Sequence, residues 1–325
     1  MKIISLKDDG AIVALLFRRI GDSLLATPAL RAIKETYPHS SVVVICEPQV
    51  TRVFEGLKFI DKIVNIGKSP SPLRLMRIIR SEHNVIALMD FLSDPRSAAG
   101  STMSGVPIRT GFPKSIRRFA YTHPIPLQVP THPIYSSVHK AQLANALGAQ
   151  TQNFRPAFAL TENDVTNARQ ALKQFVDQRK LIIGMFVSSR RAYKRWPLDR
   201  FAAIIRAVKS HDINVVLVGG PGESQDAREV CRLSNLSEQN TVMFADIGSM
   251  AAFLAECNLY IGNDGGPKHL AVAMGTPTLT VFQNDPPEYW TPPDDPIHVA
   301  VGGVNQSPSA EEVSRAALLM LDKRK

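Results

Sequence analysis

The chain has few of the residues that mark disulfide-rich, metal-binding or membrane-spanning proteins. It has only three cysteines in 325 residues, Cys46, Cys231 and Cys257, and they are far apart and odd in number. They match no paired metal spacing and no disulfide framework, so we expect buried thiols. The apolar run near the start, 11–17, is far shorter than the about 20 residues of a membrane-spanning helix. No small-residue cleavage site follows it, which argues against a secretory signal peptide.

Acidic residues are scarce in the first half of the chain. Residues 1–160 hold 20 Lys and Arg against 10 Asp and Glu, whereas residues 161–325 hold 18 against 19. This asymmetry predicts an anionic partner for the first half: nucleic acid, an anionic membrane surface or a phosphorylated substrate. Nucleic acid is the weaker candidate, because no RNA-recognition signature, zinc finger or aromatic-basic interleaving is present. For any single basic cluster, a solvated helix face remains the alternative.

Short apolar runs alternate with amphipathic stretches, which is typical of parallel sheets covered by helices on both faces. In the first half we predict strands at 11–17, 42–46, 62–66 and 85–90, a turn at Gly21–Asp22 followed by a helix that reaches about residue 36, helices at 73–81 and 138–147, and irregular loops over 107–133. In the second half we predict strands at 181–187, 214–218, 259–261 and 278–282, and helices at 161–178, 198–209, 224–233, 250–256, 269–274 and 311–321. The two series predict an α/β protein with two Rossmann-like, doubly wound domains, 1–160 and 161–325, facing each other across a cleft. For the last predicted helix, 311–321, packing on the first domain is an alternative to packing on the second.

Loops after the predicted strands carry the residues with useful chemistry. Gly21-Asp22 follows the first strand, and Asp22 is either a helix N-cap or a carboxylate general base. The segment 188–197 combines Ser188 and Ser189 with four cations, including Lys194. Hydroxyls and cations together suit phosphate oxygens, although a solvated basic loop is the alternative.

Two glycine-containing loops follow in the second half. The loop 219–223 is no dinucleotide fingerprint, because Gln225 stands where the third glycine belongs, and its Glu223 either accepts hydrogen bonds from a ribose or lies in water. In the loop 262–269, Gly265 and Gly266 precede a helix start and leave backbone N–H groups available to an anion. His269 is either a functional donor or a partly buried structural imidazole. No Walker A loop, nucleophile elbow or metal-ligand spacing is present in the sequence.

Several of these segments resemble one known family. Residues 264–271 with 274–277 resemble the donor-site signature of glycosyltransferase family 9, the heptosyltransferases of lipopolysaccharide core assembly. Residues 21–31 resemble its G-D-x-L-x-T-P-x-L-R motif, and residues 194–197 its K-x-W-P segment. Weaker landmarks are Asp90, Arg96-Ser97 and Arg109-x-Gly111. The resemblance implies a GT-B architecture, with the acceptor site in the first domain and the nucleotide-sugar site in the second.

The resemblance also implies an activity, which is inverting transfer without metal or cofactor from a nucleotide sugar, typically ADP-L-glycero-D-manno-heptose. Asp22 would be the general base for the acceptor hydroxyl. Residues implied to bind the donor and its departing diphosphate are Ser188, Ser189, Lys194, Glu223, Asp264, Gly265, Gly266 and His269. Of these, Glu223 would hold the ribose and His269 would orient the phosphate loop.

The implied acceptor is a phosphorylated glycolipid, which would place the enzyme in the cytoplasm at the inner membrane. Predicted acceptor contacts are Arg96, Lys114, Arg117 and Arg118. The chain departs from the family at Gly265, where Thr or Ser is usual, and at Gln283, where glycine is frequent. These departures concern the base and the sugar more than the fold. Two alternatives stay open: a GT-B sugar-nucleotide epimerase, and a non-catalytic module that binds a nucleotide sugar or a lipid surface.

Overall fold

The computed structural model describes residues 4–17, 19–126, 133–173, 175, 181–209 and 213–322. The chain divides into two compact units, residues 1–159 and 160–325. Within the described ranges, no helix has both the length and the apolar character needed to cross a bilayer. All three cysteines are buried free thiols, as predicted.

The first unit is built on a six-stranded sheet in which every paired strand is parallel to its neighbour. Its strands are β1 (Ala11–Leu16), β2 (Ser41–Cys46), β3 (Lys62–Asn65), β4 (Val85–Asp90), β5 (Ile108–Gly111) and β6 (His123–Pro124). Their order, β3-β2-β1-β4-β5-β6, is that of a Rossmann-type sheet. The topological switch point lies between β1 and β4, and ligands of such sheets bind outside the carboxyl ends of the strands at this point.

The helices of the first unit include one break that the sequence analysis did not predict. They are α1 (Ile20–Leu24), α2 (Thr27–Thr36), α3 (Thr51–Phe54), α4 (Pro72–Ser81), α5 (Pro95–Ser104) and α6 (Ser136–Ala146), with 3-10 turns at Pro48–Val50 and Ser115–Ala120. The prediction of a turn at Gly21–Asp22 followed by one helix to about residue 36 is therefore wrong. Pro28 has no N–H to donate to the Leu24 carbonyl, and the Thr27 hydroxyl donates to that oxygen instead, at 2.7 Å.

The prediction of loops throughout 107–133 is also wrong, because β5 and β6 lie there; residues 127–132 are outside the described ranges. β5 has little apolar patterning of its own, and it is held by pairing with β4, from Ala87↔Ile108 onward. α5 was not predicted either, because its sequence is rich in small and polar residues. The Asp94 carboxylate caps α5, and Gly100 lets it approach α4 so closely that an added Cβ would lie 2.7 Å from Leu75.

The second unit repeats the topology of the first. Its strands are β7 (Leu181–Phe186), β8 (Ile213–Gly219), β9 (Thr241–Met243), β10 (Leu259–Asn263), β11 (Thr278–Phe282) and β12 (His298–Gly302). The order β12-β11-β10-β7-β8-β9 again places the switch point between the first and fourth strands of the unit, β7 and β10. The predicted α/β class with two Rossmann-like units is confirmed. β9 and β12 are edge strands that the sequence analysis did not predict.

Helices cover the second sheet, and the closing helix packs on it. They are α7 (Glu162–Leu172), α8 (Leu198–Val208), α9 (Ser224–Ser234), α10 (Ile247–Ala255), α11 (Gly266–Met274), α12 (Pro287–Trp290) and α13 (Ala310–Asp322), with 3-10 turns at Ala192–Lys194 and Glu238–Asn240. Thr161 caps α7 in a capping box with Asp164, and the predicted extension to residue 178 enters residues outside the described ranges. α13 contacts α8, β10 and β11. The core of this unit includes Trp196, which is fully buried and packs edge-on against Phe201.

Candidate active site

Asp22 lies just beyond the carboxyl end of β1, inside α1. The N-cap of α1 is Arg19, in an unusual backbone conformation with φ 52°, so the N-cap interpretation of Asp22 is wrong. The Lys140 ammonium on α6 lies 3.3 Å from Oδ1 of Asp22. The Lys140 side chain is 10% exposed, whereas the Asp22 side chain is 35% exposed. A carboxylate held by one buried cation and still open to solvent can meet an incoming hydroxyl group.

Asp90 organises the loop after the neighbouring strand. It pairs with Leu15 across the β1–β4 ladder and is fully buried. Its carboxylate accepts hydrogen bonds from the backbone N–H groups of Leu92 and Ser93 and, at 2.6 Å, from the Tyr121 hydroxyl. Burial raises the pKa of Asp90, against the opposing effect of these hydrogen bonds. We conclude that Asp90 supports the loop next to Asp22.

The predicted acceptor cations fall into two groups. Arg96 forms an ion pair with Asp94 at 3.1 Å, in the cap of α5. Lys114 and Arg118 are exposed and Arg117 is half-buried, and all three lie on or beside the 3-10 turn that follows β5. The structure therefore brings the three cations of that turn together and places Arg96 in the first turn of α5, a helix that contacts the same 3-10 turn.

Lys194 is the centre of a charged cluster in the second unit. Its ammonium lies 2.5 Å from a carboxylate oxygen of Asp264 and 2.5 Å from one of Asp285, and it stands over the Trp290 ring at 5.1 Å. Burial alone would lower the pKa of Lys194, but the two carboxylates outweigh burial and raise it. Lys194, Asp264 and Asp285 lie in the loops that follow three neighbouring strands, β7, β10 and β11. These loops leave the sheet at the edge where ligands of such sheets bind.

Two further residues of α11 surround Asp264. The Lys268 ammonium is fully buried, donates to the Trp290 carbonyl and lies 3.3 Å from Asp264. Burial lowers the pKa of Lys268 to about 8. Nε2 of His269 lies 4.0 Å from the same carboxylate. Burial would raise the pKa of Asp264, but Lys268, His269 and Lys194 together hold it at about 2. The fixed negative charge of Asp264 thus holds three potential hydrogen-bond donors, Lys194, Lys268 and His269, near the start of α11.

Asp264 should stabilise the fold in a pH-dependent manner. Its pKa falls from 3.8 to about 2 on folding, so its contribution is complete above about pH 4 and is lost as the pH falls toward 2. We expect Asp264→Asn to lower the free energy of unfolding by about 2 kcal/mol at pH 6. By pH 3 the difference from the parent chain should narrow to roughly half. Urea unfolding of both proteins at pH 6 and pH 3 measures this difference. A difference that is the same at both pH values would contradict the lowered pKa of Asp264.

The turn before α11 leaves room at the position where the chain departs from the family. Gly265 has an extended backbone, φ −177°, which any residue adopts. An added Cβ would meet nothing closer than 3.8 Å, so sterics do not require glycine. Pro267 occupies the first turn of α11, where proline is favoured. Gly265 and Gly266 are half-buried and carry no side chain that would stand in front of the N–H groups at this helix start.

A hydroxyl should be tolerated at Gly265 and harmful three residues earlier, at Gly262 in β10. We expect Gly265→Ser to raise the free energy of unfolding by a few tenths of a kcal/mol, since Ser caps helices slightly better than Gly. Gly262→Ser is the matched control, because its Cβ would lie 2.5 Å from the Phe186 carbonyl. We expect that variant to lose about 1–3 kcal/mol. Equal losses in both variants, measured by urea unfolding, would contradict this description.

The other predicted donor residues already have partners within the second unit. The Ser188 hydroxyl donates to Asp226 at 2.9 Å, and the Ser189 hydroxyl accepts the Arg191 N–H. Glu223 accepts the Gly220 N–H at 2.7 Å and so closes its own loop. The structure places all three beside strand ends; Ser189 and Glu223 bond within their own loops, and Ser188 bonds to Asp226 on α9.

Asn263 is a supporting residue that the sequence analysis missed. It is fully buried at the end of β10. Its side-chain amide donates to the Val187 carbonyl at 2.7 Å, and its Oδ1 accepts the backbone N–H of Trp196 at 3.0 Å. It therefore ties both ends of the loop that carries Lys194. Its only sequence signal is its position directly before Asp264. Asp285 was also missed, because it belongs to no motif and follows a strand by three residues.

Removal of the Asn263 side chain should cost stability in proportion to the hydrogen bonds lost. We expect Asn263→Ala to lower the free energy of unfolding by about 2–3 kcal/mol, because buried backbone groups lose their partners. Asn284→Ala is the control, since Asn284 is exposed and donates one hydrogen bond, to the Tyr193 carbonyl. We expect less than about 1 kcal/mol for the control. Similar losses for both, in urea unfolding, would contradict the role of Asn263.

The chain has two Rossmann-like units, one with an accessible carboxylate after its first strand and one with a lysine–aspartate cluster at its strand ends, which matches the class of GT-B proteins. Comparison with known proteins agrees. The model of glycosyltransferase family 9 (heptosyltransferase) matches residues 73–319, and the chain belongs to this family. It is a glycosyltransferase. Among the residues that the structure describes, no group of three or more His, Cys, Asp or Glu side chains could hold a metal ion.

Individual relatives are distant but span nearly the whole chain. Lipopolysaccharide heptosyltransferase 3 of Escherichia coli K12 is 22% identical over 324 residues, covering 91% of this chain and 89% of its own length. A glycosyltransferase family 9 structure from Veillonella parvula superposes with a TM-score of 0.86 at 21% identity, covering 99% of this chain and 100% of that one. The E. coli ADP-heptose heptosyltransferase II structure gives 0.78 at 17% identity, covering 97% and 100%. These structures confirm the GT-B fold.

Proposed function

We propose that this glycosyltransferase transfers a heptose from ADP-heptose to a phosphorylated glycolipid of the lipopolysaccharide core. The observation that carries the proposal is the convergence of Lys194, Asp264 and the start of α11 at one edge of the second sheet. Family membership supports the reaction class, and the names of the relatives support heptose and lipopolysaccharide as its substrates.

The donor binds the second unit through its diphosphate in this proposal. The leaving diphosphate gains negative charge as the sugar–phosphate bond breaks. Lys194 and the backbone N–H groups of Gly265 and Gly266 stabilise that charge, which is the role that a divalent cation would otherwise take. Because Lys194 is held by Asp264 and Asp285, its ammonium is oriented before the donor arrives. Glu223 accepts hydrogen bonds from the ribose. His269 and Asp264 hold the loop before α11, and Ser188 and Ser189 line the other side of the donor site.

Asp22 is the general base in the first unit. It takes the proton of the acceptor hydroxyl as that oxygen attacks the anomeric carbon, and the diphosphate leaves from the opposite face. One displacement inverts the configuration at that carbon. Lys140 holds the carboxylate in place through the 3.3 Å contact. The acceptor phosphates meet the cations of the first unit, Arg96, Lys114, Arg117 and Arg118. A glycolipid acceptor places the enzyme at a membrane surface on the cytoplasmic side.

A thermal-shift panel tests the donor assignment. ADP, UDP, GDP and dTDP are added separately to the full chain with and without EDTA, followed by the matching sugar nucleotides. Binding to the native state raises the melting temperature by linkage, so ADP and ADP-heptose should give the largest shifts, unchanged by EDTA. A larger shift with another nucleotide would identify the sugar nucleotide of that base, and not ADP-heptose, as the donor. Formation of an epimer of the sugar nucleotide without acceptor would identify an epimerase instead.

A further inference from the structure

An exposed apolar pair lies among cations after β5. Ile116 and Phe119 are each 78% exposed, more than any other large hydrophobic side chain in the described ranges. They are three residues apart on the 3-10 turn Ser115–Ala120, a spacing that places both on one face. We call residues 114–119 the basic–apolar turn. Apolar side chains exposed together in this way mark an interaction site.

The surroundings of the pair are cationic. Lys114 and Arg118 are exposed beside it, and the Arg118 guanidinium stands 5.9 Å from the Phe119 ring centroid. No Asp or Glu occurs in the sequence between Asp94 and Glu162. The turn therefore combines apolar side chains with an excess of positive charge in its own segment of the chain, which favours an anionic partner with an apolar interior.

We infer that the basic–apolar turn docks the chain on an anionic phospholipid bilayer. Ile116 and Phe119 enter the boundary between headgroups and acyl chains, and Lys114 and Arg118 contact headgroup phosphates. A protein partner fits less well, because a turn of six residues buries far less than the roughly 1,200 Å² of a stable protein interface. The inference rests on the proposed function in one respect, that the acceptor is carried by a membrane.

The position of the turn gives this docking a consequence. All strands of the first sheet are parallel, so the loops after β1, β4 and β5 leave from the same edge. Asp22 follows β1 and the basic–apolar turn follows β5. Docking at the turn therefore brings the edge that carries Asp22 close to the bilayer surface, where a glycolipid presents its sugars.

Vesicle flotation with the full chain tests the inference. The vesicles contain phosphatidylcholine with or without phosphatidylglycerol, and they contain no glycolipid acceptor. Ile116→Ser/Phe119→Ser should lower binding to the anionic vesicles about tenfold or more. Lys114→Gln/Arg118→Gln should lower it roughly twentyfold. The matched controls are Leu319→Ser, which removes a side chain that is 58% exposed on α13, and Lys209→Gln/Arg228→Gln, which removes two exposed cations of the second unit. Both controls should bind like the parent chain.

Transfer to a deacylated, water-soluble acceptor separates the inference from the proposed function. Ile116→Ser/Phe119→Ser should retain this activity and its melting temperature while losing vesicle binding. Vesicle binding that survives in this variant, or a parent chain that ignores anionic vesicles, would overturn the inference. If the parent chain binds vesicles through the turn but transfers no sugar to either acceptor, the proposed function fails and the docking surface stands.

Discussion

Asp22→Asn should lower the rate of sugar transfer by about 10²–10⁴-fold while ADP still stabilises the protein against heating. The amide keeps the size of the side chain but cannot take a proton from the acceptor hydroxyl. The ADP effect should survive because the proposed donor residues belong to the second unit. Steady-state transfer rates with saturating donor, together with melting curves in ADP, measure both properties.

The control for Asp22 is a carboxylate in a similar place with no proposed role. Asp199 is exposed in the first turn of α8, and Asp22 is half-buried in the first turn of α1. Asp199→Asn should transfer sugar at the parent rate. If Asp22→Asn also turned over at the parent rate, Asp22 would not be the base.

Lys194→Met should produce the opposite pattern, with donor binding lost first. Hydrogen bonds to charged groups contribute about 1.5–3 kcal/mol, so the Kd for ADP should rise roughly 10–150-fold. The variant should also unfold more easily, because Asp264 and Asp285 lose the ammonium between them. Isothermal titration with ADP and urea unfolding measure the two effects.

Arg228→Met is the control for the charge itself, since Arg228 is an exposed cation on α9 of the same unit. It should bind ADP like the parent chain. A Kd for ADP that is unchanged by Lys194→Met would show that Lys194 serves only the ion pairs with Asp264 and Asp285.

All interior strands except β5 were predictable, because each apolar run in the sequence coincides with the buried residues of a strand. β4 and β11 have the predicted bounds, 85–90 and 278–282, and every residue of β1 and β11 is buried. Four strands were not predicted: the edge strands β6, β9 and β12, and β5, which lies between β4 and β6. They are short and partly polar, and the adjacent strand holds each of them in place. Pairing of that kind leaves little periodicity in the sequence.

The site residues that belong to sequence motifs were predictable, whereas those that join the site only through tertiary contacts were not. Asp22, Lys194 and Asp264 lie in motif segments next to strand ends, and the Lys194–Asp264 contact follows from the pairing of β7 with β10. Asp285 and Asn263 complete the cluster, but their roles depend on partners 91 and 67 residues away, a relation that local sequence does not show. The bond from Ser188 to Asp226 is of the same kind.

Transfer followed by mass spectrometry tests the central claim most directly. The chain is incubated with ADP-heptose and a lipopolysaccharide core acceptor that lacks its next heptose. We predict that the glycolipid gains the mass of one heptose for each ADP released, and that no epimer appears when the acceptor is left out. An unchanged glycolipid, with the sugar nucleotide either intact or epimerised, would contradict the claim.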